Sequence, residues 1–127
     1  MNFKTWITAA GIAAMASTAT AGSHGTDVKV GMITTLSGGG AGLGIDVRDG
    51  FLLAAKMAGN DHLKIVVEDD QRKPDIAVQL ADKMIQSEKV DVLTGIIWSN
   101  LAMAVVPSAT AQDKIYLSPN AGPSALA

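Results

Sequence analysis

Apolar and polar residues run along this chain in blocks whose period changes. Val28 to Thr35 is a short β-branched run, followed by Leu36-Ser37-Gly38-Gly39-Gly40-Ala41-Gly42-Leu43-Gly44, and the pair reads as a strand and its exit loop. Ile45 to Gly59 reads as a helix with apolar positions at Ile45, Leu52, Ala55 and Met57; Gly50 weakens it and Gly59-Asn60 stops it. His62 to Glu68 is the second strand, ending in Asp69-Asp70-Gln71. Pro74 opens the clearest helix, whose Ala77, Leu80, Ala81, Met84 and Ile85 follow the spacing of one buried face. Val90 to Ile97, nearly all apolar, suits a central parallel strand covered on both sides. A third helix is expected from Asn100 to about Gln112, with Ala102, Val105, Val106 and Ala109 on one side and Pro107 kinking or shortening it. Ile115 to Ser118 is a fourth strand, and the loop Pro119 to Ser124 leaves it.

Strand and helix alternate, which predicts an α/β fold: a parallel open sheet with helices on both faces, joined by right-handed crossovers. Ligands of such sheets bind beyond the carboxyl ends of the strands, where strand order reverses. Four segments fall there: the glycine loop, Asp69 to Gln71, Trp98 to Asn100, and Pro119 to Ser124. The stretch Thr94 to Ala102 is the focus. It reads as a buried strand end, a polar turn of Ser99 and Asn100, and a first helical turn, with Ser99 as the expected helix cap. A helix start carries unpaired amides and partial positive charge, so Ser99 and the next amides form a cradle for a carboxylate or phosphate. An ordinary cap without a ligand gives the same local pattern; the coincidence of the four segments lifts Ser99 above it.

At 127 residues the chain makes one small domain, and its net charge of −2 lacks the basic stripe of a nucleic-acid binder. It has no cysteine, which excludes disulfides and thiolate chemistry. The first residues are read apart from the fold. Lys4, the apolar run Trp6 to Met15 and Ala19-Thr20-Ala21 spell a secretory signal peptide over residues 1–21, cut after Ala21, with a flexible leader over 22–27. No later run approaches a membrane span, so the mature product is expected to be soluble outside the cytoplasmic membrane.

Enzymatic readings fail on spacing. Glycines at 38, 39, 40, 42 and 44 do not give G-x-G-x-x-G, and no lysine follows Gly44 as a phosphate loop requires. Asp69 and Asp70 lack partners for a magnesium site and read better as a solvated or capping pair. Ser99 has no nucleophile elbow and no histidine base. Neither a catalytic group nor a cofactor is expected. Trp98, one of two tryptophans, suits the core or the wall of a pocket equally.

The signal peptide, V-K-V-G-M-I-T-T-L-S-G from Val28 to Gly38, V-V-E-D-D from Val66 to Asp70, the turn at Gly95 to Asn100 and Y-L-S-P-N-A from Tyr116 to Ala121 together resemble the extracytoplasmic solute-binding proteins of branched-chain amino acid ABC transporters. The resemblance implies a type I periplasmic binding protein, with two α/β lobes closing on a small carboxylate. Such a protein hands its ligand to a membrane permease and is not an enzyme. Such proteins are much longer, so residues 28–127 are expected to be a truncated N-terminal lobe.

By the same resemblance Ser99 meets the ligand carboxylate, and Ala121 offers its carbonyl to an ammonium. The expected ligand-binding set is Ser37, Trp98, Ser99, Asn100, Ala121 and Gly122. Two features depart from the amino-acid binders: Gly122-Pro123 stand where a threonine hydroxyl is usual, and Trp98 is bulky. Both suit an acid without an ammonium, such as an aromatic acid. The alternative is a ligand-sensing ectodomain of a receptor or regulator with the same fold.

Overall fold

Four short parallel strands form the sheet, and glycines decide how two of them end. The computed structural model describes residues 26–126; the expected signal peptide and most of the expected leader lie outside them. The strands are β1 (Val28–Thr34), β2 (Leu63–Asp69), β3 (Val92–Thr94) and β4 (Ile115–Leu117), and the helices are α1 (Ala41–Ala58), α2 (Pro74–Gln86) and α3 (Ser99–Ala111). A single 3₁₀ turn covers Ser124–Leu126. The strand order is β2-β1-β3-β4, all parallel, with Val28 opposite Leu63, Val30 opposite Val92, and Val92 opposite Ile115. The order reverses between β1 and β3, so the expected switch point lies at the exits of those two strands.

Side chains alternate across β1 and so define the two faces. Ile33 joins Ala77, Ala81 and Met84 of α2 and Leu101, Val105 and Ala109 of α3 in the main core. This is the face the sequence marks most clearly, and Pro74 starts α2 where expected. On the other face α1 backs onto the strand through Gly44, where a Cβ would come within 1.9 Å of the Thr35 carbonyl oxygen.

Three expectations need correction. The glycine run is not a loop as far as Gly44: α1 begins at Ala41, after a left-handed Gly40, so the later glycines are helical. Close docking, not flexibility, explains Gly44. Second, β3 was expected from Val90 to Ile97 but spans only Val92–Thr94. Gly95 takes φ 107°, and a Cβ there would lie 2.6 Å from the Ile33 carbonyl oxygen, so the chain leaves the ladder and crosses close over β1. Ile96 and Ile97 stay buried without pairing. Third, α3 runs through Pro107 to Ala111 without being cut short.

The apolar positions of α1 are largely exposed, including Leu53 and Met57. Among the described residues, no helix is long and apolar enough to cross a membrane.

Candidate ligand-binding site

Asp69 and Asp70 close β2 and fold the following turn back over the carboxyl edge of the sheet. Asp69 Oδ1 accepts the amides of Leu36 at 2.8 Å and Gln71 at 2.9 Å. Burial opposes its charge, but hydrogen bonds from the Ser37 hydroxyl and from the Leu36, Gln71 and Ser37 amides outweigh it. The Asp69 carboxyl is held below the usual carboxylate range. Ser37, expected in the ligand set, lies beside this carboxylate.

Asp70 is fully buried, so of the two expected readings, a solvated or a capping pair, the solvated one does not hold for it. Its Oδ1 accepts the Thr35 hydroxyl at 2.6 Å and the Arg72 amide at 2.8 Å, while Oδ2 has no partner among the described residues.

These carboxylates hold Gln71 and Arg72 both left-handed, at φ 51° and 58°. Conformations of that kind cost about 1–3 kcal/mol each and persist where neighbours over-determine them. The turn sends Arg72 from the exit of β2 across that of β1 to that of β3. Its guanidinium carbon lies 3.9 Å from the centroid of the Trp98 ring, and Nη1 lies 3.4 Å from the Gly39 carbonyl oxygen. Trp98 is half-buried and fixed at its other end: Nε1 donates to the Thr35 hydroxyl at 2.9 Å. Gly40 lets the loop pass the indole, since a Cβ there would meet Trp98 Cζ2 at 2.4 Å. Trp98 therefore serves as a platform for a cation, not as a bare aromatic wall.

Ser99 does not cap α3. Trp98 holds the cap position, extended at φ −101° and ψ 133°, and no side chain closes the helix end. The Trp98 carbonyl accepts the amides of Leu101 at 3.1 Å and Ala102 at 3.0 Å, so those of Ser99 and Asn100 are left without intrahelical partners. Both residues are exposed at the positive end of the helix. The cradle lies one step earlier than the sequence suggested.

Ala121 and Gly122 sit elsewhere on the same edge. They line a cavity of about 240 Å³ with Val106, Tyr116, Ser118 and Leu126. The Ala121 carbonyl already accepts the Ser118 hydroxyl. Asn120 ties this loop to the exit of β3 through Nδ2, which donates to the Ile97 carbonyl at 2.9 Å. Burial pushes the Tyr116 phenol up to about 12, and Ser118 and the Ile96 backbone offset only part of that. The expected residues thus form two groups, Trp98-Ser99-Asn100 and Ala121-Gly122, joined by Asn120, with Ser37 apart from both in the loop after β1. Sequence reasoning missed Thr35, Arg72 and Asn120. Among the described residues, no three His, Cys, Asp or Glu side chains gather as metal ligands.

A site at the switch point between β1 and β3 calls for comparison with known proteins. The family described as periplasmic binding protein matches residues 27–127. This chain belongs to that family. Among curated proteins no sequence match was found. Solved structures similar to this chain include solute-binding proteins of ABC transporters. One from R. palustris, in complex with benzoate, is 37% identical with a TM-score of 0.71, covering 75% of this chain and 28% of its own. Another, from Rhodopseudomonas palustris BisB5 in complex with 3,4-dihydroxy benzoic acid, is 29% identical with a TM-score of 0.74, covering 78% and 28%. A leucine binding protein from Thermotoga maritima has a TM-score of 0.74 at 22% identity, covering 78% and 29%, and shares the fold. The chain therefore spans less than a third of the length of these binding proteins.

Proposed function

We propose that this chain supplies the ligand-facing edge of the first lobe of an ABC transporter solute-binding protein. In the periplasm it takes a small carboxylate into an interlobe cleft and delivers it to a membrane permease. The observation that carries the reading is the convergence of the exits of β1, β2 and β3 on one exposed cationic edge. There the Ser99 and Asn100 amides stand beside the Trp98 platform. A carboxylate suits such an edge, because unpaired helix amides and an adjacent cation both favour an anion.

An aromatic acid is the ligand we favour over a branched-chain amino acid. The Ala121 carbonyl is already engaged by Ser118, and the threonine hydroxyl usual in amino-acid binders is replaced by Gly122-Pro123. The relatives in complex with benzoate-type acids are also the more similar in sequence. The test is a thermal-melt titration of the full-length processed protein with 4-hydroxybenzoate and, separately, with leucine. A ligand at about 100 times its dissociation constant stabilises by roughly 2.7 kcal/mol, a visible shift in midpoint. A shift with the aromatic acid alone is expected; a shift with leucine alone overturns the preference, and no shift with either overturns the carboxylate reading.

A further inference from the structure

We infer that Arg72 is a specificity-determining residue of this cleft, binding the ligand's carboxylate through the free donors of a guanidinium seated over Trp98. The inference rests on the carboxylate reading above and names the side chain that decides it.

Three observations carry it. The backbone is bent to aim this side chain: Gln71 and Arg72 are consecutive left-handed residues without being glycine, and the Asp69 and Asp70 carboxylates hold their amides. An arrangement costing strain at two positions fixes a direction that an ordinary turn would leave loose. Second, the guanidinium is packed on one face and left open at its edge. It lies 3.9 Å from the Trp98 centroid, and its single protein hydrogen bond among the described residues is a long one, 3.4 Å to Gly39. Arginine carries five donors in a planar fork that matches a carboxylate, so most of them remain for a ligand.

Third, the acids beside Arg72 do not compete for it. Asp69 accepts the Leu36 and Gln71 amides, and Asp70 is buried on Thr35 and the Arg72 amide. The cation is exposed over the switch point, on the Trp98 that precedes the free amides of α3, and among the described residues no carboxylate forms a salt bridge with it. An anion gains from this arrangement, and a ligand ammonium placed at the same edge is repelled by it. The Trp98 platform sets where the cation sits, through the Thr35 hydroxyl that fixes the indole.

The test compares benzoate with its neutral counterpart benzamide, by calorimetric titration of the full-length processed protein and its variants. The wild type is expected to prefer benzoate. Arg72→Gln, which keeps a planar hydrogen-bonding amide on a shorter side chain and drops the charge, is expected to lower benzoate affinity roughly tenfold or more while leaving benzamide nearly where it was, the range of a hydrogen bond to a charged group. Arg72→Lys keeps the charge but loses the planar fork and is expected to fall between the two. A purely structural role for Arg72 would weaken both ligands alike, so an unchanged benzoate-to-benzamide ratio in the variants overturns the inference. Melting curves of the unliganded variants show whether they fold; if the Gln variant does not, the Lys variant carries the same comparison. A wild type that binds benzoate, with variants that match it, removes Arg72 alone. A wild type that binds neither ligand removes the aromatic-acid preference as well, and with no response to leucine either, the carboxylate reading.

Discussion

The indole nitrogen of Trp98 donates to the hydroxyl of Thr35 at 2.9 Å, and that hydroxyl donates onward to the buried Asp70 at 2.6 Å. Thr35 is therefore a relay between the exits of three strands. Thr35→Val keeps the shape and removes both bonds, leaving an indole N–H unpaired and a buried carboxylate short of a donor. The expected cost is about 3 kcal/mol of folding stability, since each deprived group loses about 1–3 kcal/mol. Thr35→Ser should cost only about 1 kcal/mol, the loss of one buried methyl. Urea unfolding of the two variants checks this; equal losses would mean that packing, not the relay, makes Thr35 matter.

Gly40 controls the same platform from the opposite side. Its φ of 91° disfavours any side chain, and a Cβ would press within 2.4 Å of the Trp98 ring. Gly40→Ala should cost about 1–3 kcal/mol through overpacking and backbone strain, and it should also push Trp98 and Arg72 off their present stack. Weaker benzoate binding together with a shifted tryptophan emission is the expected result. A stability loss with unchanged binding would detach Gly40 from the site.

Much of the architecture was legible because it depends on period and punctuation. The spacing of Ala77, Ala81, Met84 and Ile85 and the position of Pro74 define α2 with no tertiary information. What failed depends on contacts between distant segments. Ile96 and Ile97 look like strand because they are apolar, yet Gly95 crosses β1 too closely for the ladder to continue. Ser99 looks like a cap because serine favours caps, yet Trp98 takes that position once its indole is anchored on Thr35. Arg72 carries no local signal at all. Its direction comes from two left-handed residues whose conformation is set by carboxylates on the preceding strand.

Asp69 predicts a pH dependence. Its carboxyl is held below the ordinary value of 3.8 in the folded chain, so the unfolded chain takes up a proton first as pH falls. The stability it contributes is complete above that ordinary value and is lost as pH drops through the lower folded one. Asp69→Asn should therefore be less stable than wild type at neutral pH, with the gap narrowing as acid brings both proteins toward about pH 2. Denaturant titrations at several pH values test the sign. A gap that stays constant with pH would mean that Asp69 acts by shape alone.

Ser99 separates binding from folding in a single substitution. It stands at the first helical position, exposed, and makes no capping bond, so Ser99→Ala removes nothing that holds α3 together. Unliganded stability should stay within about 0.5 kcal/mol of wild type, as for a surface change away from caps and core. If its hydroxyl meets the ligand carboxylate beside the free amides, benzoate binding by the full-length protein should weaken by roughly 1.5–3 kcal/mol. Titration of that variant together with its melting curve reads both quantities. Unchanged affinity would leave the carboxylate to the amides and Arg72, whereas a loss of stability would show that α3 depends on Ser99 in a way its geometry does not suggest.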